Sequence, residues 1–361
     1  MKKFTLSIVL FVVATLLISC TLTEESSNDT KEKLLKEGAL TVHYIDVGQG
    51  DATLIQAPNG RTMLIDGGKK SAGEKVVSYM KDKNIDHLDY VVATHPDADH
   101  IGGLHKVLDE ITVGEFIDSG KVHTTQTYLE LLTKIDEKDI PFTVPEIGDS
   151  IALDPSVTLE VLFADEDAKG TNEASIVIGM TYGDISFIFT GDADTKMEEG
   201  LIDRGLQQVT IAKAGHHGSN TSSGARYIEH IQPEVFILSY GEGNSYGHPH
   251  DEVVQRVISQ GADIYETATM GDIRVITDGK EYEVETTTSV TPTATEEEKR
   301  MNINEASFEE LQQLPGIGPV LAEEIILYRE KQLFERISDI QHVRGIGQKT
   351  YEELAPYITV E

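Results

Sequence analysis

The sequence has 361 residues, 39% hydrophobic and 25% charged, which is typical of a folded protein and excludes a chain that is disordered throughout. Its length allows one large domain and a smaller one. With 30 Lys and Arg against 62 Asp and Glu, the net charge of −32 excludes a broad electrostatic attraction to polyanions, so any contact with nucleic acid must be local.

The amino terminus predicts a lipoprotein signal peptide over residues 1–19. Two lysines precede an apolar stretch from Leu6 to Ile18 that is too short to span a bilayer comfortably. It ends in LISC, which resembles the bacterial lipobox and implies that Cys20 becomes the lipidated first residue. The alternative is an uncleaved anchor with an incidental cysteine. We therefore expect a secreted protein at the extracellular face of the cell membrane, anchored by a lipid at Cys20, with polar residues 20–39 as a flexible tether.

Residues 40–285 predict a mixed α/β domain. Strands are indicated at 40–47, 52–57, 61–68, 88–95, 157–163, 175–182, 184–192 and 209–219, and helices at 74–81, 125–137 and after 192. Polar residues repeatedly follow the carboxyl ends of apolar strands. This pattern predicts a layered α/β protein whose site lies along one edge of a sheet.

A boundary follows this domain. Residues 286–299 are rich in threonine, contain Pro292 and end in an acidic run, so we predict a linker. Residues 300–361 predict a small all-α domain with a capping box at Ser307 and Glu310. The sequences LPGIG (314–318) and VRGIG (343–347) form an imperfect repeat, and each separates two helical stretches.

The segment THPDADHIGG (94–103) carries two imidazoles and two carboxylates within six positions, at the end of a predicted strand. Both side-chain types bind divalent metals, and a pair of ions needs more ligands than one loop provides, so other loops must contribute. The alternative interpretation, an Asp/His-rich loop that only caps the following helix, leaves four choices of residue unexplained.

This segment resembles the HxHxDH signature of the metallo-β-lactamase superfamily, with Asp in place of the second His. Together with DVGQGDA (46–52), LIDGG (64–68), FTGDAD (189–194), KAGHHGS (213–219) and YGHPH (246–250), it resembles the hydrolase domain of ComEC-type competence proteins. Phosphorylcholine esterases share part of the pattern. The resemblance implies an αββα sandwich with a dinuclear metal site between two β-layers.

The resemblance also implies a ligand set. His95 and Asp97 would bind one metal, Asp99 and His100 the other, and Asp192 would bridge them. The last histidine would be His216 or His217. Because side chains alternate along an extended segment, we expect only one of these two to face the metals, and we choose His217. His216 is then left to contact the phosphate or the leaving group.

One ligand of the superfamily is missing, because Asn172 stands where the intermediate histidine is expected. The ligand shell is therefore richer in oxygen than usual for the superfamily. We expect two divalent ions, either Zn²⁺ or Mn²⁺, with Mg²⁺ as a further candidate. No organic cofactor is expected. Such a pair activates water and binds phosphate oxygens. Asp99 belongs to the catalytic set, and His216, Lys213 or His248 would stabilise charge or protonate the leaving alkoxide.

Two aspartates and two histidines outside the expected ligand set also have expected roles. Asp46 and Asp66 are expected to orient ligands or shape their loops rather than to bind metal. For His248 and His250, a solvated surface turn and a role at the site are both open.

The carboxyl-terminal repeat resembles the helix-hairpin-helix domain of ComEA-type proteins. That resemblance implies DNA phosphate binding without sequence specificity through Gly316, Gly318, Gly345 and Gly347, with Lys349 and Arg344 beside the second hairpin. The alternative is a helical knob that docks another protein, because this segment has more acidic than basic residues.

The sequence thus predicts an exported, lipid-anchored, metal-dependent hydrolase. The leading hypothesis is a DNA phosphodiesterase linked to uptake or scavenging of external DNA. The alternatives are a hydrolase of another phosphate ester, such as a choline phosphodiester, and a non-catalytic DNA receptor.

Overall fold

The computed structural model describes residues 38–288, 301–334 and 336–360. The predicted signal peptide, Cys20, most of the tether and most of the linker lie outside these residues. No helix among the described residues has both the length and the apolar character needed to cross a membrane.

The strands of residues 38–288 form two sheets. In chain order they are β1 (Leu40–Tyr44), β2 (Thr53–Gln56), β3 (Thr62–Ile65), β4 (His87–Ala93), β5 (Thr112–Asp118), β6 (Phe142–Thr143), β7 (Val157–Phe163), β8 (Val177–Tyr182), β9 (Ile185–Phe189), β10 (Ile211–Lys213), β11 (Val235–Leu238), β12 (Asp263–Glu266), β13 (Ile273–Thr277) and β14 (Tyr282–Thr286). The first sheet has the order β14-β13-β1-β2-β3-β4-β5-β6 and the second β12-β11-β10-β9-β8-β7.

Each sheet is antiparallel in one part and parallel in the other. From β14 to β3 the neighbours of the first sheet are antiparallel, and from β3 to β6 they are parallel. In the second sheet the strands from β9 to β12 are parallel, and β7 and β8 continue it antiparallel. The parallel strand β11 is buried along its whole length, whereas the first five residues of the edge strand β7 alternate between buried and exposed.

Residues 38–288 also form eight α-helices. They are α1 (Gly73–Asp82), α2 (Ala98–Ile101), α3 (Leu104–Glu110), α4 (Gln126–Glu137), α5 (Thr195–Asp203), α6 (Ala225–Ile231), α7 (Asp251–Ile258) and α8 (Thr267–Met270). Side-chain caps begin two of them: Thr125 accepts from the amide of Tyr128 at α4, and Asp194 accepts from that of Met197 at α5.

Three apolar layers result from this arrangement. Residues of α1, α3 and α4 pack on the first sheet, and residues of α5, α6 and α7 pack on the second. Between the sheets lies the central core, where the rings of Tyr44 in β1 and Phe189 in β9 are 6.4 Å apart. The predicted αββα sandwich is confirmed.

The carboxyl-terminal residues form a small helical unit with its own core. Its elements are β15 (Met301–Asn302), α9 (Phe308–Leu311), α10 (Pro319–Arg329), a 3-10 helix (Ile337–His342), α11 (Gln348–Leu354) and β16 (Ile358–Thr359), and β15 pairs in parallel with β16. Leu311, Ile325 and Leu354 are fully buried in this core. The predicted capping box is present, since Ser307 and Glu310 each accept a hydrogen bond from the other's backbone amide.

Candidate metal centre

Loops that follow the carboxyl ends of three strands meet at one place between the sheets. The loop after β4 brings His95, Asp97, Asp99 and His100, of which the last two lie on α2. The loop after β9 brings Asp192, and a 3-10 turn after β10 brings His216 and His217. The predicted site residues of these three segments are therefore neighbours in space.

Asp192 lies at the middle of this cluster and is nearly completely buried. Its Oδ2 atom is 3.7 Å from Nε2 of His95 and 3.6 Å from Nε2 of His216. Its Oδ1 atom is 3.2 Å from Nε2 of His100 and 3.6 Å from Nε2 of His217. The carboxylate therefore faces two different pairs of imidazoles, one pair with each oxygen.

Two further carboxylates extend the two sides of the cluster. Asp97 Oδ2 is 3.8 Å from Nε2 of His95, and Asp99 Oδ2 is 3.7 Å from Nε2 of His217. Tetrahedral coordination with bonds of about 2.0–2.2 Å places ligand atoms roughly 3.3–3.6 Å apart. The spacing of these side chains is thus close to what a divalent ion on each side of Asp192 requires.

Several atoms of the cluster are buried and have no hydrogen-bond partner among the described residues. They include Nε2 of His95, His100 and His217 and Oδ1 of Asp192. Buried polar atoms without partners are costly, and those in a native protein need an explanation. A buried cluster of Asp and His side chains whose unpartnered atoms face one another fits a divalent cation.

His216 and His217 both reach Asp192, which corrects the expectation that only one of them faces the centre. That expectation assumed an extended segment, but both residues have left-handed backbone angles, with φ of 46° and 56°. The two side chains diverge from this turn, and their ring planes are inclined by 67°. The adjacent residues His216 and His217 therefore lie next to different oxygens of the Asp192 carboxylate.

Hydrogen bonds on the far side of the rings orient the histidines. Asp66 Oδ2 is 2.8 Å from Nδ1 of His100, and Asp66 also accepts from the amide and the hydroxyl of Thr94. Nδ1 of His217 lies 3.0 Å from the carbonyl oxygen of Ser239. The predicted orienting role of Asp66 agrees with this geometry, because such contacts fix the tautomer and direction of a ligand.

Ser175, which no motif in the sequence singles out, connects two parts of the centre. Its Oγ atom is 3.3 Å from Nδ1 of His95 and accepts a hydrogen bond from the amide of Asp192.

Asp46, by contrast, shapes its own loop: its carboxylate accepts from the amide of Gly48 and from Lys75.

Asp51 is the acidic residue that sequence reasoning missed. It is buried in the loop between β1 and β2, and Asp51, His100, Asp192 and His217 each offer a ligand atom within 4.8 Å of the others. Asp51 nevertheless lies at the Nδ1 side of the rings, 3.4 Å from that atom of His217 and 3.7 Å from that of His100. The signal was available, since Asp51 belongs to the DVGQGDA motif.

Lys213 forms a buried ion pair with Asp51, with Nζ 2.6 Å from Oδ2, and also donates to the carbonyl oxygen of Ala214. Only 3% of each side chain is exposed. This position behind the histidines supports a positioning role for Lys213, whereas the predicted direct part in catalysis stays a prediction.

Charges within the cluster shift its pKa values strongly. Burial disfavours the charged form of Asp192, but the neighbouring His100 and His217 outweigh it and hold the pKa of Asp192 well below its usual range. Burial also opposes protonation of His217, yet Asp192 and Asp51 raise its pKa to about 9. The pKa of His95 falls to about 4 because of burial and the charge of His100. Protons are thus held on the side of Asp192 Oδ1, where a divalent cation would replace them.

The rim of the centre carries the remaining predicted residues. Asn172 lies with its Nδ2 atom 3.4 Å from both ring nitrogens of His216. The ring of His248 is 5.5 Å from that of His216, and its Nδ1 atom is 3.5 Å from Nε2 of Gln49. Burial and the neighbouring histidines lower the pKa of His248 to about 4, so the ring is neutral at pH 7. His250, which directly precedes α7, instead accepts a hydrogen bond at Nδ1 from the backbone amide of Asn220.

The two hairpins of the carboxyl-terminal unit have the same local geometry. Gly316 and Gly345 are left-handed, with φ of +75° and +100°, and Gly318 and Gly347 precede α10 and α11 with extended backbones. The isoleucine between each glycine pair is 4% exposed. Neither glycine cap has a side chain to satisfy the first amides of its helix, which therefore suit an anionic ligand.

Two family descriptions match the chain. Residues 45–242 match the metallo-beta-lactamase superfamily, and residues 296–359 match the helix-hairpin-helix motif.

Among curated proteins, ComE operon protein 3 of Bacillus subtilis (strain 168) is 29% identical over 252 residues, which cover 64% of this chain and 32% of that protein. Competence protein ComA of Neisseria gonorrhoeae is 30% identical over 248 residues, covering 66% and 32%. ComE operon protein 1 of Bacillus subtilis (strain 168) is 50% identical over 62 residues, covering 17% and 30%. The chain spans about a third of the length of these relatives.

Proposed function

Because this chain belongs to the metallo-beta-lactamase superfamily, we propose that it is a metal-dependent phosphodiesterase that cleaves DNA at the centre around Asp192. We further propose that it is exported and held at the outer face of the membrane by a lipid on Cys20. One observation carries the proposal: the two oxygens of the Asp192 carboxylate face two separate pairs of imidazoles, at 3.2 to 3.7 Å, and three of these four rings are buried.

We assign one ion to each of these sets. His95, Asp97 and His216 would hold the first, and Asp99, His100 and His217 the second, with Asp192 shared. His216 would then take the place of the missing intermediate histidine, so each ion would have two imidazoles, a donor set that suits Zn²⁺ or Mn²⁺. Bound ions of this kind lower the pKa of water and neutralise charge on phosphate oxygens.

The side chains of the chain itself complete the chemistry. Asp66, Ser175 and Asp51 fix the directions of the histidines, which keeps the centre assembled before substrate arrives. The Gln49 amide nitrogen lies 3.5 Å from Nδ1 of His248. With this amide donating to Nδ1, the neutral ring would carry its proton on Nε2 and could donate it in a hydrogen bond to a phosphate oxygen or to the departing alkoxide. His248 thus acts by hydrogen bonding rather than as a permanent cation.

DNA as the substrate is supported by the two equivalent hairpins of residues 301–360 and by the relative named competence protein ComA. The hairpin amides offer contacts to phosphate that do not read sequence. They are useful in a chain with a net charge of −32, which cannot rely on a basic surface.

The test combines metal analysis with cleavage. Elemental analysis of the purified chain should find up to two divalent ions per molecule, and labelled single- and double-stranded DNA should be cut with Mn²⁺ or Zn²⁺. Asp192→Ala and Asp99→Ala should each cost several kcal/mol of transition-state stabilisation, as expected when charge neutralisation is the main catalytic term.

Absence of bound metal, together with no activity after addition of either ion, would remove the hydrolase assignment and leave a DNA receptor. Cleavage of a choline phosphodiester without cleavage of DNA would identify another phosphate ester as the substrate.

A further inference from the structure

One exposed aromatic ring lies beside the metal centre without a part in the chemistry described so far. Tyr246 is 60% exposed, the most exposed aromatic side chain in the described residues 38–288. One face of its ring stacks on His248, with ring centroids 5.6 Å apart and planes inclined by 22°. Its exposed surface is therefore available for a ligand that approaches the centre.

The loop that carries Tyr246 is held by one side chain. Asn244 Oδ1 accepts hydrogen bonds from the amides of Tyr246 and His248, and Asn244 Nδ2 donates to the carbonyl oxygens of Gly241 and His248. Four bonds from one amide group fix the path of residues 241–248. The ring of Tyr246 is thus presented on an ordered loop, which reduces the entropy lost when a ligand stacks on it.

Tyr246 is within reach of a strand whose phosphate lies at the centre. Its ring contacts His248, and the His248 ring is in turn 5.5 Å from that of His216, whose Nε2 atom faces Asp192. Successive nucleotides of a stacked strand are about 3.4 Å apart, so a few nucleotides cover this path. A base within a few nucleotides of the scissile phosphate can therefore lie on the ring.

We propose that Tyr246 is a stacking site for an unpaired nucleobase, and that single-stranded DNA is the preferred substrate of the centre; this inference rests on the proposed function. Stacking needs no positive charge and tolerates every base, because each base has a π face. It suits a chain with 62 acidic and 30 basic residues. A base within a duplex is already stacked on both sides, whereas an unpaired base has a face to offer.

The same ring has a second conceivable ligand class, a quaternary ammonium group such as that of choline. Cations of that kind are recognised by cages of several aromatic rings. At this loop Tyr246 offers one open face, and its ring contact is the imidazole of His248. A flat ligand matches a single open face better than a spherical cation does.

The experiment compares Tyr246→Ala and Tyr246→Phe with the wild-type chain. The substrates are a labelled single-stranded oligonucleotide, the same strand with abasic sites around the cleavage position, and the corresponding duplex. The abasic strand keeps every phosphate and removes only the bases. Bound metal and the circular dichroism spectrum are measured for each variant, so that a misfolded protein is recognised.

Tyr246→Ala should lower kcat/KM on the intact single strand by about 5- to 150-fold, the range expected for loss of one stacked base, mainly through KM. Tyr246→Phe, which keeps the ring, should stay near wild type. Wild type and Tyr246→Ala should cut the abasic strand equally, and their rates on the duplex should agree.

Equal losses on the intact and the abasic strand would show that Tyr246 only supports the loop, and unchanged rates on the intact strand would also overturn the inference. Loss of choline phosphodiester hydrolysis with unchanged DNA cleavage would assign the ring to a cation instead. If wild-type protein cut none of the DNA substrates, the proposed function itself would fall, and this inference with it.

Discussion

Removing the ammonium group of Lys213 tests whether this residue positions the centre or takes part in catalysis. In Lys213→Met the Asp51 carboxylate stays buried without its counter-ion, a change that costs about 3–5 kcal/mol in comparable buried pairs. We expect the lower part of that range, because the rings of His217 and His100 also face Asp51 at 3.4 and 3.7 Å. Burial alone would raise the pKa of Asp51, but the charges of Lys213, His217 and His100 together hold it below its usual range.

The matched control is the double variant Asp51→Asn/Lys213→Met, which removes both charges and nearly keeps both shapes. Its loss in free energy of unfolding should be at least ~2 kcal/mol smaller than the sum of the single losses. Urea denaturation with chelated metal measures stability, and hydrolysis of a small phosphodiester measures activity. Additive stability losses would refute the ion-pair reasoning. A double variant that recovers stability but stays inactive beside an active Asp51→Asn would instead assign Lys213 a catalytic role.

Three further outcomes are expected. Burial raises the pKa of Glu198 to about 7, although the backbone amides of Ser223 and Gly224 donate hydrogen bonds to its carboxylate. Protonated Glu198 therefore stabilises the fold. This contribution of about 3 kcal/mol is fully present below pH 4.5 and is lost as pH rises through 7. The stability difference between wild type and Glu198→Gln should therefore change between pH 4.5 and 8, and a constant difference in urea titrations would contradict this. Cys20→Ser should move the protein from the membrane fraction to the medium, whereas unchanged retention would point to another anchor. Removing residues 300–361 should weaken DNA binding but spare hydrolysis of a small phosphodiester. DNA binding by the full-length chain should depend only weakly on salt concentration, because few phosphate contacts are made. If the truncated chain bound long DNA as well as the full-length chain, the hairpins would be assigned to a different partner.

The architecture was predictable because its signals are local and periodic. The predicted strand over 157–163 coincides with β7, and the predicted helices over 74–81 and 125–137 correspond to α1 and α4 within a residue or two. The capping box at Ser307 depends on two residues three positions apart and was readable directly. Strands β5 and β11 were not singled out, and nothing in a single sequence assigns them their neighbours in a sheet.

The candidate site was predictable as a set of residues and less so as geometry. Motifs gave His95, Asp99, His100 and Asp192, because metal chemistry restricts the residue types. The left-handed turn at His216 was not readable, since non-glycine residues rarely adopt it and the sequence pattern does not signal it. Ser175 and the pairing of Asp51 with Lys213 depend on contacts between segments far apart in the chain, which periodicity does not encode.

The centre takes its side chains from both halves of the sandwich. His95, Asp99 and His100 follow a strand of the first sheet, whereas Asp192, His216 and His217 follow strands of the second. The cluster therefore cannot assemble until the two sheets have docked, and a divalent cation held there would tie one sheet to the other. Its binding free energy then acts as stability of the docked state. With a cation bound there, substitutions in the apolar layer far from the ligand residues would weaken metal retention whenever they loosen the contact between the sheets.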